Sequence, residues 1–247
     1  MRAVVHKGGR KMAIRGILFD KHGTLLDFFE TWIPAYRAAV EVAADFAGDP
    51  AIGDRMLRVT GFDPDSGVVD PESLLAGGTT AQICDAWADE AKIVERDRFY
   101  HLVHAAMDDY AARYPVPVAD GLDVLFERLV GKGYALGIAT MDSEVVAQVT
   151  AETLGLSRWI TFLAGYNSGH GVKPEPGMVL GFCAAAGLTP SEVLVIGDTD
   201  RDVNMARNAG AGMVVGVLTG ASPADRLALI ADLVLDSVFD IETVLGD

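Results

Sequence analysis

The chain has 247 residues, half of them hydrophobic and 22% charged, with a formal net charge of −15 at pH 7. This is a globular composition with enough apolar material for one large domain or two modest ones. No apolar run approaches the roughly 18 residues of a membrane span, and no basic face is present to displace counterions from a nucleic acid, so neither is an expected partner.

The first thirteen residues are basic and have no apolar h-region, which excludes a secretory signal. They read as a poorly ordered leader, with Met1 and Met12 as alternative starts. Ile14 to Phe19 reads as a short buried strand that ends at Asp20. From Thr31 to Arg113 there is almost no strand signal. Trp32, Ile33, Tyr36, Val40, Ala43 and Phe46 recur at helical spacing. A second helix is predicted near Ala81 to Val94 with Thr80 as N-cap, and a third near Phe99 to Tyr110. Gly61 to Gly78, rich in Gly, Pro, Asp and Ser, reads as loop. Gly77, Gly78, Thr79 and Thr80 are read as a helix N-cap rather than as a loop dipping toward a site.

Pro115 and Pro117 mark a change of pattern. Helices are predicted at 121–131, 143–154, 176–186 and 201–209. Strands follow at Tyr134–Ala139, Ile160–Leu163, Val193–Ile196 and Met213–Val217, and a last strand, Asp232–Leu235, precedes a terminal helix. Apolar strands alternating with helices mean a parallel sheet covered on both faces. The fold class is therefore α/β: a doubly wound, Rossmann-like core at 14–30 and 114–247, with residues 31–113 inserted as a helical domain. Cys84 and Cys183 lie far apart in apolar helical patterns and read as reduced, buried thiols of a cytoplasmic protein.

Ligands of such sheets sit beyond the carboxyl ends of the strands. Four segments fall there: Asp20-Lys21-His22-Gly23-Thr24, Thr140-Met141-Asp142, Gly171-Val172-Lys173-Pro174, and Gly197-Asp198-Thr199-Asp200-Arg201-Asp202. Singly, each makes an ordinary turn or cap. Together they bring a carboxylate, a hydroxyl, a lysine and a carboxylate pair to one crevice. That set suits phosphoryl transfer, which needs an in-line nucleophile and cationic groups on the equatorial oxygens. Asp20 can attack phosphorus. Asp198 and Asp202 can hold Mg²⁺, a cation that prefers oxygen ligands. Lys173 offsets the charge of nucleophile and phosphate, and Thr140 can donate to a phosphate oxygen.

On these residues the sequence resembles the haloacid dehalogenase-like superfamily, and within it the phosphoglycolate-phosphatase group. That group carries D-x-D-G-T at a strand end, a later Thr or Ser, a Lys before a Pro, and G-D-x-x-x-D. Here these are Asp20 to Thr24, Thr140, Lys173-Pro174 and Gly197 to Asp202. The resemblance implies a helical cap that closes over substrate and an aspartyl-phosphate on Asp20. It also implies a Mg²⁺ cofactor held by Asp20, the backbone carbonyl of His22, Asp198 and Asp202. Gly23, Thr24, Thr140, Met141 and Lys173 are the expected phosphate-binding residues, and a small phosphorylated metabolite is the expected substrate of a monomer or homodimer.

The chain departs from the pattern at His22, where the group has an Asp that acts as general acid and base. Three readings are open: His22 replaces that Asp, it slows hydrolysis or alters specificity, or the chain is a weak enzyme or phosphate-binding relic. The rival functions are a phosphomutase or phosphonate hydrolase and a phosphoacceptor module. Lys92, the only lysine of the insertion, raises the phosphonate option, whose Schiff base needs a desolvated amine. The insertion's other cations, Arg55, Arg58, Arg96, Arg98, Arg113, His101 and His104, read as solvated helix faces, with one available for a substrate carboxylate.

Overall fold

The computed structural model describes residues 4–7, 10–70, 73–77 and 79–245. It divides into two compact units, residues 1–28 with 115–247, and residues 29–114. The sequence reading put the breaks at 30/31 and 113/114.

Val4–Lys7 (β1) and Arg10–Ala13 (β2) pair as an antiparallel hairpin in the stretch read as a leader without an element. Gly16–Phe19 (β3) follows, fully buried. The second unit then runs from Phe28–Ala47 (α1) through Gly53–Val59 (α2), the short hairpin Phe62–Asp63 (β4) with Val68–Val69 (β5), Leu74–Gly77 (α3), Thr80–Glu90 (α4) and Arg96–Arg113 (α5). In α1 the buried residues Trp32, Ala35, Tyr36, Ala39, Val40 and Ala43 form one stripe, so burial of that face rather than intrinsic propensity holds the helix. The α4 face is Ile83, Cys84, Trp87 and Ala88, and the Trp87 indole N–H donates to Thr60 Oγ1 at 3.1 Å. The α4 N-cap is Thr79, not Thr80. Thr79 and Gln82 form a capping box in which each side chain accepts from the other's backbone N–H.

The first unit resumes with Leu122–Gly131 (α6), Ala135–Ala139 (β6), Glu144–Thr153 (α7), Phe162–Ala164 (β7), Gly177–Ala186 (α8), Val193–Gly197 (β8), Asp200–Ala209 (α9), Met213–Val217 (β9), Ala224–Ile230 (α10), Leu233–Leu235 (β10) and Ile241–Leu245 (α11). Helices α2, α3 and α10 and the two hairpins are additions to the predicted elements, and α3 with the β4–β5 hairpin falls in the Gly61–Gly78 stretch read as loop. Six strands form one parallel sheet in the order β10-β9-β8-β3-β6-β7. Alternation along each strand sends side chains to two cores. Ile17, Phe19, Leu194, Ile196 and Val215 meet α6 and α11, with Phe19 and Phe126 stacked at 4.8 Å. Leu18, Val193, Val195 and Val214 meet α8, α9 and α10 through Phe182, Val203 and Leu227.

The chain passes from β3 outward to β6 and β7, then returns to the other side of β3 as β8. Strand order therefore reverses between β3 and β8. A crevice opens at such a switch point beyond the carboxyl ends, and Asp20 and Asp198 lie one and two residues past matched positions there, since Phe19 pairs with Ile196.

Candidate active site

Asp20 leaves β3 with its N–H donating to Ile196 O at 2.9 Å, which ties the two switch-point strands together one residue past the end of β3. Its carboxylate is buried. One oxygen pairs with the Lys173 ammonium and the other accepts from Thr24 Oγ1 at 3.2 Å. Lys173, itself buried, also donates to Asp202 Oδ1 at 2.6 Å. Asp202 sits in the first turn of α9, where its second oxygen accepts from the N–H and hydroxyl of Thr199 at 3.1 and 2.6 Å. Asp198 accepts from Ala221 N–H at 2.7 Å. Ligand atoms of Asp20, Asp198 and Asp202 all lie within 4.8 Å of one another.

The backbone makes room for this cluster. Gly23 holds φ +78°, and a Cβ there would overlap the Asp198 carboxylate, as would one on Gly220. Thr219 Oγ1 donates to Gly23 O at 2.7 Å and so fixes the two loops to each other.

Three carboxylates this close, out of water, cannot all ionise cheaply. Burial first, then the Asp202 charge, pushes Asp20 up to about 6 against the pull of Lys173. Burial, then Asp20 and Asp202, pushes Asp198 up to about 8. Burial would lower Lys173, but its two carboxylate partners outweigh it and hold the ammonium charged.

Thr140 and Met141 stand at the neighbouring end of β6. Thr140 is buried and its hydroxyl oxygen accepts from Asp142 N–H at 3.2 Å, while Met141 is exposed. His22 brings its ring to Asp142. Its Nε2 lies 2.9 Å from Asp142 Oδ2, and the same oxygen pairs with the buried Lys21 ammonium. Burial lowers the His22 pKa below 6.5, with Lys21 adding to that and Asp142 opposing it.

A family model for haloacid dehalogenase-like hydrolases matches residues 14–210. The chain belongs to that family. Among curated proteins it is 30% identical over 196 residues to a phosphoglycolate phosphatase of Xanthomonas campestris pv. campestris, covering 79% of this chain and 80% of that one. It is 26% identical over 201 residues to an N-acetylmuramic acid 6-phosphate phosphatase of Pseudomonas putida, covering 81% of each. The fold matches a crystal structure of a predicted phosphoglycolate phosphatase from Haemophilus somnus 129PT, with TM-score 0.71 and 20% identity, over 94% of this chain and 98% of that one.

In this dehalogenase-like hydrolase five arginines of the inserted unit are engaged with acidic neighbours, Arg55 with Glu90, Arg58 with Asp63 and Asp65, Arg96 with Asp89, Arg98 with Glu95 and Arg113 with Asp109, while Arg37 lies over the Phe62 ring. His104 faces Asp108 at 3.5 Å. Lys92 is exposed, at φ 56° just beyond α4, and lacks the desolvation a Schiff-base lysine needs. Cys84 and Cys183 are free and buried, and burial raises both thiols, Cys84 to about 12. No described helix is long and apolar enough to cross a membrane. Sequence reasoning missed the pair Lys21 and Asp142. The available signal was a lysine set one residue beyond Asp20 at the strand end, because a fully buried lysine is rare without a partner.

Proposed function

We propose that the chain is a Mg²⁺-dependent phosphatase that hydrolyses small phosphomonoesters through a phosphoryl group carried on Asp20. The observation that carries this reading is the Asp20 carboxylate itself, buried at a switch-point strand end between Lys173 and the Asp198 and Asp202 carboxylates. The donor set fits a small hard cation: three carboxylates, all oxygen. The buried charges fit it as well. Asp20, Asp142 and Asp202 pair with the ammoniums of Lys21 and Lys173, and Asp198 lies within the same cluster; with all four carboxylates ionised and His22 neutral, the two negative charges left over match one divalent ion. Bound there, Mg²⁺ would neutralise charge on the phosphoryl oxygens and on Asp20.

Asp20 attacks phosphorus, and the bond from phosphorus to the ester oxygen breaks. His22 gives that oxygen a proton as it leaves. Water then attacks the same phosphorus, His22 takes the water's proton, and Asp20 departs as a carboxylate with phosphate released. Lys173 holds Asp20 in place and offsets phosphate charge. Thr140, buried at the neighbouring strand end, is a further hydroxyl donor to the phosphate. Phosphoglycolate, named for the Xanthomonas relative, is the first metabolite to try, and the free thiols suit a reducing cytoplasm.

The test is phosphate release from p-nitrophenyl phosphate and a panel of phosphometabolites, with Mg²⁺ and with excess chelator, for the wild type and Asp20→Asn. Release that needs both the metal and Asp20 supports the reading. Release by Asp20→Asn at the wild-type rate overturns it.

A further inference from the structure

Lys21, His22 and Asp142 form a second buried polar group beside the carboxylate cluster. Asp142 Oδ2 receives both the Lys21 ammonium and His22 Nε2, the latter at 2.9 Å. The three side chains are 2%, 14% and 9% exposed. Lys21 also donates to Thr150 Oγ1 on α7 at 3.2 Å. The Asp142 backbone is held at both ends, its N–H donating to Thr140 Oγ1 at 3.2 Å and its carbonyl accepting from Tyr166 N–H at 2.8 Å. A buried Lys–Asp pair is poor evidence of a stabilising role, since two apolar side chains usually serve as well. What the pair does offer is a fixed acceptor for His22 at no net charge. Asp142 alone would add a fourth carboxylate beside Asp20, and Lys21 cancels it.

We propose that Asp142, paired with Lys21, is the positioning residue for His22: it accepts a hydrogen bond from Nε2–H, which keeps that proton on Nε2 and leaves Nδ1 as the nitrogen that exchanges a proton with the ester oxygen and then with water. An ionised carboxylate can only accept, so Nε2 must be the donor in that contact. The bond then fixes ring orientation and tautomer, as the partner of a catalytic histidine generally does. This inference rests on the phosphatase reading above.

Two substrates separate positioning from folding. The leaving group of p-nitrophenyl phosphate departs as a stable anion, whereas that of glycerol 2-phosphate needs a proton. In Asp142→Asn, kcat on glycerol 2-phosphate should fall on the order of 10²-fold with KM little changed, and the loss on p-nitrophenyl phosphate should be under about 10-fold. Lys21→Leu/Asp142→Leu, which removes the pair together and leaves no unpaired buried charge, should give the same selective loss. Adding either change to His22→Ala should cost nothing further. Equal loss on both substrates, or loss that adds to that of His22→Ala, overturns the proposal. So does nitrogen-15 NMR of the wild-type protein if the neutral His22 ring carries its proton on Nδ1. If the wild type releases no phosphate from either substrate, the phosphatase reading falls and the proton-exchange role with it. The NMR spectrum still decides whether Asp142 holds Nε2.

Discussion

Lys173 and Asp20, 153 positions apart in the chain, form a buried ion pair at the centre of the site. Removing one partner of such a pair leaves the other charge uncompensated, which costs about 3–5 kcal/mol. Lys173→Met should therefore lower the unfolding temperature of the metal-free protein and drive Asp20 further above about 6. Turnover should fall on the order of 10²-fold or more. Unchanged melting and unchanged phosphate release would show that the pair has neither role.

Asp20→Asn keeps the side chain's shape and removes its charge. Turnover should drop on the order of 10³-fold or more while substrate still binds. Acid-quenched wild-type protein mixed with phosphorus-32 substrate should carry label that Asp20→Asn lacks. Equal labelling of the two would place the phosphoryl group elsewhere.

The raised carboxylates predict how metal binding and stability depend on pH. Asp20 and Asp198 hold protons in the folded protein up to about 6 and about 8, but unfolded they would lose them near 3.8. In that window the folded state binds more protons, so stability falls as pH rises. The metal-free protein should melt progressively lower from pH 4 to pH 8, and saturating Mg²⁺ should abolish most of that slope. Mg²⁺ must displace the same protons, so affinity should rise with pH across this range. Calorimetry in buffers of different ionisation enthalpy should register proton release, and none at pH 6 would contradict the cluster's charge state.

His22 adds a second titration. Burial sets its pKa below 6.5 in the free enzyme. For a substrate whose leaving oxygen needs a proton, the protonated ring is the active form, so kcat/KM should decline as pH rises through that limb. His22→Ala should remove the limb, and His22→Asp should move it toward acid. A pH profile identical in wild type and His22→Ala would make His22 a bystander.

Three of the four segments were legible because each breaks an apolar run with residues that such a run otherwise lacks, Asp20, Thr140 and Asp198; Lys173 stands in the polar loop between β7 and α8 and was legible only from its place before Pro174 in the motif order. The core helices were legible wherever a stripe was long, as in α6 with Leu122, Leu125, Phe126 and Leu129. Helix α10 buries only Leu227 among its seven residues and leaves no stripe to read. Strands β4 and β5 are two residues each, below any periodic signal. The Lys21–Asp142 contact was hidden for a different reason. Both residues stood in plain view within their segments, but which charge pairs with which is decided by the alignment of β3 with β6, not by either segment alone.

Asp202 presents one oxygen to Lys173 and the other to the start of α9. A single side chain thus fastens a helix and faces the chemistry, so protein engineers have little freedom at this position. Replacing it with histidine to attract a softer metal would remove the acceptor for Thr199 and fray the turn that carries it, while glutamate would reach too far to do both jobs. Asp198 is no freer: it accepts from Ala221 N–H, and the backbone at Gly23 and Gly220 lies so close that a larger ligand there would meet main chain rather than side chains that can repack.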